Sequence, residues 1–176
     1  PQLNPNDPRR GSQWQHAKMQ NYEGWDIHTG NSATRGGICD TGLRTSHEEF
    51  VQFRAAGYNA VRLQWESQGG NVQDINGHGT HTSGCAAANG NNSRGGLGIG
   101  WSLGHRILRV SESSNGGANF STLTQAAITA AQNGDKCSSV SYSGSDSPSV
   151  RTTGTSVKNL GGLLFWAAGN EGRNMT

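Results

Sequence analysis

The sequence predicts an α/β fold in which a parallel sheet is flanked by helices. Segments typical of strands alternate with segments typical of helices, which is the pattern of a parallel sheet. The 176 residues show no internal repeat and no linker, so we expect a single domain. We expect strands at 35–40, 58–64, 106–111, 137–142 and 162–168, and helices at 78–89, 121–133 and 149–160.

The predicted strand at 35–40 leads into a turn. Gly36 and Gly37 weaken this strand, because glycine has no side chain to pack. The Thr-Gly pair that follows Asp40 permits a sharp turn, so the Asp40 carboxylate is expected at the C-terminal end of the strand. Ligand-binding and catalytic groups of open α/β sheets collect at that edge.

The predicted helices are identified by small residues, spacing and caps. The helix at 78–89 is a run of small residues that can pack close to a sheet. In the helix at 121–133, apolar residues keep helical spacing between Ser121, interpreted as the N-cap, and Gly134, interpreted as the C-terminal stop. The last helix ends at a pair of glycines and leads into the last strand.

Composition limits the function classes. Only 31% of the residues are hydrophobic and 27 are glycine, so we expect a modest core of small residues. The net charge is +2, and no basic run indicates a nucleic-acid partner. No apolar stretch approaches the roughly 20 residues of a membrane span, so no membrane partner is expected. The chain begins at Pro1 without a signal peptide, and we interpret it as a processed form or an excised piece.

The cysteines are odd in number, which forbids complete internal pairing. Cys39, Cys85 and Cys137 all lie in predicted strands or helices rather than in loops. We therefore expect buried free thiols rather than disulfides.

Asp40 and His78 are candidates for an acid–base pair. Peptide hydrolysis by a serine requires a neutral imidazole that accepts the serine proton. It also requires a buried carboxylate that fixes the imidazole tautomer and stabilises the imidazolium. Asp40 at the end of a strand and His78 at the start of a helix can supply these two groups.

Each of these signals has another interpretation. An isolated Asp-Thr-Gly tripeptide is common and is usually only a turn. His78 and His81, spaced i, i+3, are an alternative metal pair, which would make the protein a metal hydrolase. Hydrolytic zinc helices, however, space their histidines at i, i+4 around a glutamate, and no third ligand is evident.

Three motifs in order resemble those of the subtilisin-type serine proteases: Asp40-Thr41-Gly42, His78-Gly79-Thr80-His81-Thr82 and Ala167-Ala168-Gly169-Asn170-Glu171-Gly172. In that family they carry the acid, the base and the oxyanion-hole amide. The resemblance therefore implies that Asn170 donates to the oxyanion of the tetrahedral intermediate. It also covers the intervals, with an N-terminus similar to that of thermitase-like members, and it implies a subtilisin-like parallel sheet flanked by helices.

The resemblance implies a secreted serine endopeptidase of broad specificity. The family's next block, Gly-Thr-Ser-Met-Ala-x-Pro with the nucleophile serine, is expected after the third motif, whereas the sequence stops at Thr176. We therefore expect a partial peptidase domain without its C-terminal part, inactive alone, with an N-terminal arm at about 1–30 and an incomplete catalytic core at 31–176. A propeptide or the missing C-terminal portion is the expected protein partner. The alternative is a non-catalytic subtilase-like module that binds peptides.

A second sequence imitates the start of the nucleophile block. It is Gly154-Thr155-Ser156-Val157. Its order is wrong, because Ser156 precedes Asn170, and it lies within the predicted helix at 149–160. We therefore do not expect Ser156 to be the nucleophile.

The resemblance implies that an extended polypeptide substrate pairs with two backbone segments. Such β-augmentation takes affinity from main-chain hydrogen bonds and preference from side-chain pockets. The first segment is Ser141, Tyr142 and Ser143, and the second is 115–118. Gly116 and Gly117 permit close backbone approach, although a flexible loop is the alternative for this second segment.

The resemblance to thermitase-like members also implies a calcium site between the arm and the loop after the histidine helix. Calcium takes about six to eight oxygen ligands. The expected ligands are the side chains of Asp7, Glu49 and Asn92 and the carbonyls of Asn89, Arg94 and Gly96. Ser46-His47-Glu48-Glu49 also matches a capping box, in which Glu49 would bond the Ser46 backbone N–H instead.

Overall fold

The computed structural model describes residues 3–172, and an N-terminal arm of short helices precedes the sheet. The arm contains a 3-10 turn at Arg10–Ser12 and the helices α1 (Trp14–Lys18) and α2 (Asn21–Trp25). The sequence did not predict these elements, because five residues are too few to show a helical period. None of the helices formed by residues 3–172 has both the length and the apolar character needed to cross a bilayer.

A six-stranded sheet forms the centre of the protein. Its strands are β1 (Arg35–Asp40), β2 (Tyr58–Asn59), β3 (Gln64–Trp65), β4 (Gly104–Arg109), β5 (Cys137–Val140) and β6 (Leu163–Trp166). The order is β3-β2-β4-β1-β5-β6, and all neighbours are parallel except the antiparallel β2 and β3. The predicted α/β fold with a largely parallel sheet is confirmed.

One predicted strand is wrong. The predicted strand at 58–64 is instead two short antiparallel strands, β2 and β3, joined by a turn at residues 60–63. The Asn59 Oδ1 atom accepts hydrogen bonds from the backbone N–H groups of Val61 and Arg62, each at 3.0 Å. Such side-chain bonds to the backbone compete with sheet pairing, so the chain reverses after Asn59. The other predicted strands and helices match to within two residues at each end.

Three longer helices flank the sheet: α3 (His78–Ala87), α4 (Phe120–Gln132) and α5 (Pro148–Asn159). The N-cap of α4 is Asn119 rather than the predicted Ser121. Gly134 and Gly161, with φ of 83° and 82°, follow the ends of α4 and α5 in the left-handed conformation that glycine tolerates.

Two apolar cores lie on opposite faces of the sheet. Cys39 of β1 packs with Leu108 and Val140 on the face covered by α4 and α5. The neighbouring Ile38 packs with Ile107 on the face covered by α3. Gly37 has a packing role, since a Cβ atom there would lie 2.6 Å from the Ala130 Cβ of α4. The glycine that weakens the strand therefore lets the helix approach it closely.

The last strand is an open edge of the sheet. Among the strands formed by residues 3–172, β6 has β5 as its one neighbour. Leu163 and Phe165 of β6 are 60% and 57% exposed, on the face where α3 packs mainly against β1 and β4. We call this surface of β5 and β6 the open face.

The cysteines are free, but they are not all buried as expected. Cys39 is buried and Cys137 is half-buried, whereas Cys85 is exposed on α3. The prediction is wrong for Cys85, because the outer side of α3 is not covered by other described elements. Burial raises the pKa of Cys39, and the adjacent charge of Asp40 adds to that effect.

Candidate active site

The structure brings Asp40 and His78 together at the C-terminal edge of the sheet. Asp40 is the last residue of β1, and His78 is the first residue of α3. His78 Nδ1 lies 2.8 Å from Asp40 Oδ1. The Asp40 side chain is fully buried, whereas 49% of the His78 side chain is exposed. A buried carboxylate therefore orients a ring that remains open to solvent.

The turn after Asp40 holds the carboxylate and the helix start. The Thr41 N–H donates to Asp40 Oδ1 at 2.7 Å. The Thr41 hydroxyl oxygen accepts the Gly79 N–H at 2.8 Å, which ties the first turn of α3 to the end of β1. Thr41 therefore connects the end of β1 to the start of α3 through its backbone N–H and its hydroxyl group.

Sequence reasoning missed Asp74, which caps α3. Its Oδ1 atom accepts the backbone N–H groups of Asn76 and Gly77 and the Thr41 hydroxyl, at 2.9–3.0 Å. Its Oδ2 atom accepts both the N–H and the hydroxyl of Thr80. An aspartate followed by Asn-Gly before a helix was the available signal, since such residues form side-chain turns. Partial burial tends to raise the pKa of Asp74, but these hydrogen bonds outweigh it and lower the pKa.

A cleft of about 170 Å³ adjoins His78 and contains parts of both predicted substrate segments. It is lined by Thr41, Asn76, His78, Asn115, Gly116, Ser141 and Tyr142. The Tyr142 hydroxyl donates to the Gly116 carbonyl at 2.8 Å and so joins the two segments across the cleft. Burial raises the pKa of Tyr142, and the charges of Asp40 and Asp74 raise it further, so the phenol stays protonated as a donor.

Residues beside this cleft complete the two segments. The Ser143 carbonyl accepts the Trp166 indole N–H at 3.4 Å. The Gly117 N–H donates to Asn115 Oδ1 at 2.8 Å, and the Gly117 carbonyl accepts a hydrogen bond from the Ser111 hydroxyl. The loop at 115–118 is thus held by side-chain hydrogen bonds.

Asn170 follows the end of β6 and lies on the surface. Its backbone N–H donates to Glu171 Oε2 at 3.0 Å. Asp40 ends β1 and the chain leaves β6 at the same edge of the parallel sheet, so Asn170 belongs to the edge that carries His78. Ser156 is placed differently: it lies within α5, where its hydroxyl donates to the Thr152 carbonyl at 3.1 Å.

The alternative metal pair has different partners in the structure. The His78 ring bonds Asp40, whereas His81 Nε2 lies 4.0 Å from Cys85 Sγ. Within residues 3–172 no group of three or more His, Cys, Asp or Glu side chains is arranged to hold a metal ion.

Four of the predicted calcium ligands, Asp7, Glu49, Asn89 and Asn92, make contacts at the loop after α3. Asp7 and Glu49 are buried, with 1% and 5% exposure. Asp7 Oδ2 accepts the Asn91 N–H at 2.7 Å, and Glu49 Oε2 accepts the Asn92 side-chain amide at 2.9 Å. Burial raises the pKa of Glu49. The hydrogen bond from Asn92 lowers this pKa, and the negative charge of Asp7 raises it further.

Two buried oxygens at this loop could serve as ligands of a hard cation. Glu49 Oε1 and the Asn89 side-chain oxygen are buried without a hydrogen-bond partner in the described part of the chain. Buried oxygens of this kind are costly unless a donor or cation satisfies them. The capping-box prediction is wrong: residues 46–50 form turns rather than a helix, and the Glu49 side chain contacts Asn92 instead of the Ser46 N–H.

The N-terminal arm is tied to the same loop. The Arg9 N–H donates to the Gly95 carbonyl at 2.8 Å, and the Gln13 side chain makes two hydrogen bonds to the backbone of Leu97. Trp25 packs with Leu97 and Trp101 in a third apolar cluster. Arm and loop therefore form one packed unit.

The amino-acid sequence is similar to that of known proteins. The profile of the subtilase family matches residues 35–176. Thermitase of Thermoactinomyces vulgaris is 33% identical over 170 residues, covering 96% of this chain and 58% of thermitase. The thermophilic serine proteinase of Bacillus sp. strain AK1 is 31% identical over 155 residues, covering 86% of this chain and 37% of that protein. The chain thus spans less than two thirds of the length of each of these relatives.

Solved structures show the same fold. One, described as proteases from Pseudoalteromonas arctica, superimposes with a TM-score of 0.81 at 24% identity, covering 96% of this chain and 60% of that one. A cold-adapted subtilisin-like serine proteinase gives a TM-score of 0.66 at 24% identity, covering 81% of this chain and 49% of that one. At this identity the likeness concerns the fold alone.

Proposed function

Because the chain belongs to the subtilase family, we propose that it supplies the acid, the base and the oxyanion-hole amide of a serine endopeptidase. Asp40 orients His78 and stabilises its imidazolium form. His78 accepts the proton of the nucleophile serine and then donates it to the leaving amine. Asn170 donates its side-chain amide to the oxyanion of the tetrahedral intermediate. The observation that carries the proposal is the 2.8 Å contact between a fully buried carboxylate and a half-exposed imidazole.

We place the nucleophile serine outside these 176 residues. The chain covers 58% of thermitase, which leaves room in such a protein for further catalytic residues. Ser156 is unsuited to the role, because its hydroxyl is bonded within α5 on the opposite side of the sheet from α3. The chain alone is accordingly proposed to be inactive.

The proposed substrate is a polypeptide in extended conformation. The cleft beside His78 is bounded by Ser141, whose main chain can add hydrogen bonds to a strand, and by Gly116. The Gly116 N–H and carbonyl are themselves bonded to the Ser113 carbonyl and the Tyr142 hydroxyl. The hydroxyl of Tyr142 keeps the two sides at a fixed separation.

We further propose that the open face is covered by the remaining portion of a subtilase domain. The exposed Leu163 and Phe165 and the unpaired edge of β6 support this, because such edges and apolar patches are usually covered in stable proteins. The partial coverage of the relatives by this chain is consistent with it.

We propose calcium as the structural ion between the arm and the loop after α3. Asp7, Glu49 and Asn92 would hold it with side-chain oxygens, and Asn89, Arg94 and Gly96 with carbonyls. Bound calcium would neutralise the two buried carboxylates. The unpartnered Glu49 Oε1 atom supports this assignment.

Secretion also remains a proposal. The relatives include an extracellular serine proteinase from Thermus sp. strain Rt41A and a major intracellular serine protease from Bacillus subtilis strain 168. The Thermus relative supports the proposal, whereas the Bacillus subtilis relative shows that similar proteins also occur inside cells.

The decisive experiment is to sequence the gene beyond the codon for Thr176 and to assay the full reading frame on casein. We expect hydrolysis that is lost in Asp40→Asn and His78→Ala. Asn170→Ala is expected to reduce kcat by about 10²–10³, the figure measured for the corresponding amide in subtilisin, a member of the same family. A full reading frame without hydrolytic activity that still binds peptides would instead support the non-catalytic module.

A further inference from the structure

The Thr82 hydroxyl contacts Oδ2 of Asp40, whereas His78 contacts Oδ1 of the same carboxylate. Thr82 lies one helical turn after His78 on α3, and its hydroxyl oxygen is 2.9 Å from Asp40 Oδ2. The Gly79 carbonyl is a second acceptor at 3.2 Å. A hydroxyl has one proton to donate, and the shorter contact is to the charged acceptor.

We propose that Thr82 is a positioning residue that fixes the Asp40 carboxylate and limits its basicity toward His78. This inference rests on the proposed roles of Asp40 and His78. Asp40 Oδ1 accepts from the Thr41 N–H and from His78, so Thr82 is the side-chain donor on Oδ2. A carboxylate held at both oxygens cannot rotate about its Cβ–Cγ bond, and Oδ1 stays directed at the imidazole.

The same hydrogen bond affects how strongly His78 binds a proton. A donor on Oδ2 draws negative charge away from Oδ1, which weakens the stabilisation of the imidazolium. Without this donor, a buried oxygen would be left unpaired. The charge on Asp40 would then be compensated mainly by His78, which would hold its proton more tightly.

Other titratable groups near Asp40 do not take this role. Cys39 is held neutral by burial, as is Tyr142, whose hydroxyl is bonded to Gly116. Asp74 is connected to this region through the Thr41 hydroxyl. None of the three donates to Asp40 Oδ2, so removal of the Thr82 hydroxyl acts on the Asp40 carboxylate through that one bond.

The test measures the proton affinity of His78 in the 176-residue chain, without any need for peptidase activity. Diethyl pyrocarbonate modifies histidine in its neutral form and not in its protonated form. Mass spectrometry resolves His78 from the nearby, exposed His81, which serves as internal reference. From rates between about pH 5 and 9 we expect Thr82→Val to raise the proton-binding constant of His78 at least about threefold, a part of what loss of a charged hydrogen bond can give. Thr82→Ser keeps the hydroxyl and is expected to match the native chain.

Thr155→Val is the matched control. It removes a threonine hydroxyl from α5 that bonds the Arg151 carbonyl, away from the site, and should leave the His78 profile unchanged. Should Thr82→Val fail to fold by circular dichroism, Thr82→Ala removes the hydroxyl without adding a methyl group.

Two results would overturn the inference: a Thr82→Val profile that coincides with the native one or shows weaker proton binding, or a Thr82→Ser profile shifted as far as that of Thr82→Val. An inactive full reading frame combined with the expected shifts would refute the proposed function alone. An active full reading frame combined with coincident profiles would refute only the role of Thr82.

Discussion

Gly79 packs against Gly42 so closely that a Cβ atom on Gly79 would lie 2.3 Å from the Gly42 carbonyl oxygen. The contact seats the first turn of α3 on the turn after Asp40. This seating allows the His78 ring to reach the carboxylate. Only glycine fits, because the obstructing atoms are backbone and cannot rotate away.

Gly79→Ala is therefore expected to lower the free energy of unfolding by about 1–3 kcal/mol, the usual cost of overpacking, and to separate His78 from Asp40. Urea denaturation measures the first effect. Gly84→Ala in the same helix is the matched control, since the nearest atom to its added Cβ is Phe50 Cζ at 3.8 Å. That variant is expected to gain up to about 1 kcal/mol from helix propensity. Equal losses in both variants would show that the contact at Gly79 has no special cost.

Acid is expected to destabilise the chain through His105. Burial lowers the pKa of His105 from 6.5 to about 4, with a further contribution from the charge of Arg54. The folded state thus binds this proton less tightly than the unfolded state, so stability is complete above about pH 6.5 and is lost as the pH falls toward 4. The loss amounts to roughly 3 kcal/mol by pH 4.

Substitution of His105 tests that assignment. Its ring is buried and packs against Phe50 with a centroid separation of 5.5 Å. We expect His105→Phe to flatten the dependence of the unfolding free energy on pH between 6.5 and 4. His81→Gln, at an exposed position, should leave the slope unchanged. An unaltered slope in His105→Phe would assign the acid sensitivity to other groups.

Calcium is expected to protect the N-terminal arm from trypsin at Arg9, Arg10 and Lys18. The ion would hold Asp7 of the arm and Glu49 to one loop. We expect Glu49→Gln to remove the protection given by calcium over chelator. Glu48→Gln is the neighbouring control, because Glu48 is exposed and pairs with Arg94. Equal cleavage rates of the native chain with calcium and with chelator would refute the site.

The isolated chain is expected to self-associate through the open face. Phe165→Lys should reduce association in sedimentation velocity, because it places a charge on the exposed edge strand. Leu160→Lys is the control: Leu160 is 44% exposed but follows the end of α5. A native chain that stays monomeric and unfolds cooperatively would show that the open face is stable in water without a partner.

The isolated chain is also expected to hydrolyse peptides only at background rate. Loss of the nucleophile costs about 10⁶ in kcat in subtilisin, a figure taken from that member of the family. An organophosphate probe should leave Ser156 unlabelled. Turnover together with labelling of Ser156 would overturn the proposed location of the nucleophile.

The sequence predicted the elements whose signals are local. Gly134 and Gly161 ended their helices as expected, and the motifs at Asp40 and His78 lie at a strand end and a helix start. The turn at Asn59 escaped prediction, because a single side-chain oxygen decides between a turn and a strand.

Contacts that depend on tertiary approach could not be predicted. The bonds of Thr82 to Asp40 and of Tyr142 to Gly116 exist only once helix, strand and loop have packed. Glu49 shows the same limit: its local sequence indicated a cap, whereas its contact is with Asn92, 43 positions away.

The side-chain hydrogen bonds of Asp40 and Asp74 all join residues between positions 40 and 82. Because synthesis proceeds from the amino end, the ribosome supplies every partner in this network before it reaches Asn170. In the proposed enzyme the acid–base pair can therefore be translated long before the groups that stabilise the oxyanion. During synthesis, the acid–base pair would therefore be present without the oxyanion-hole amide, so the nascent chain would not yet hydrolyse peptides.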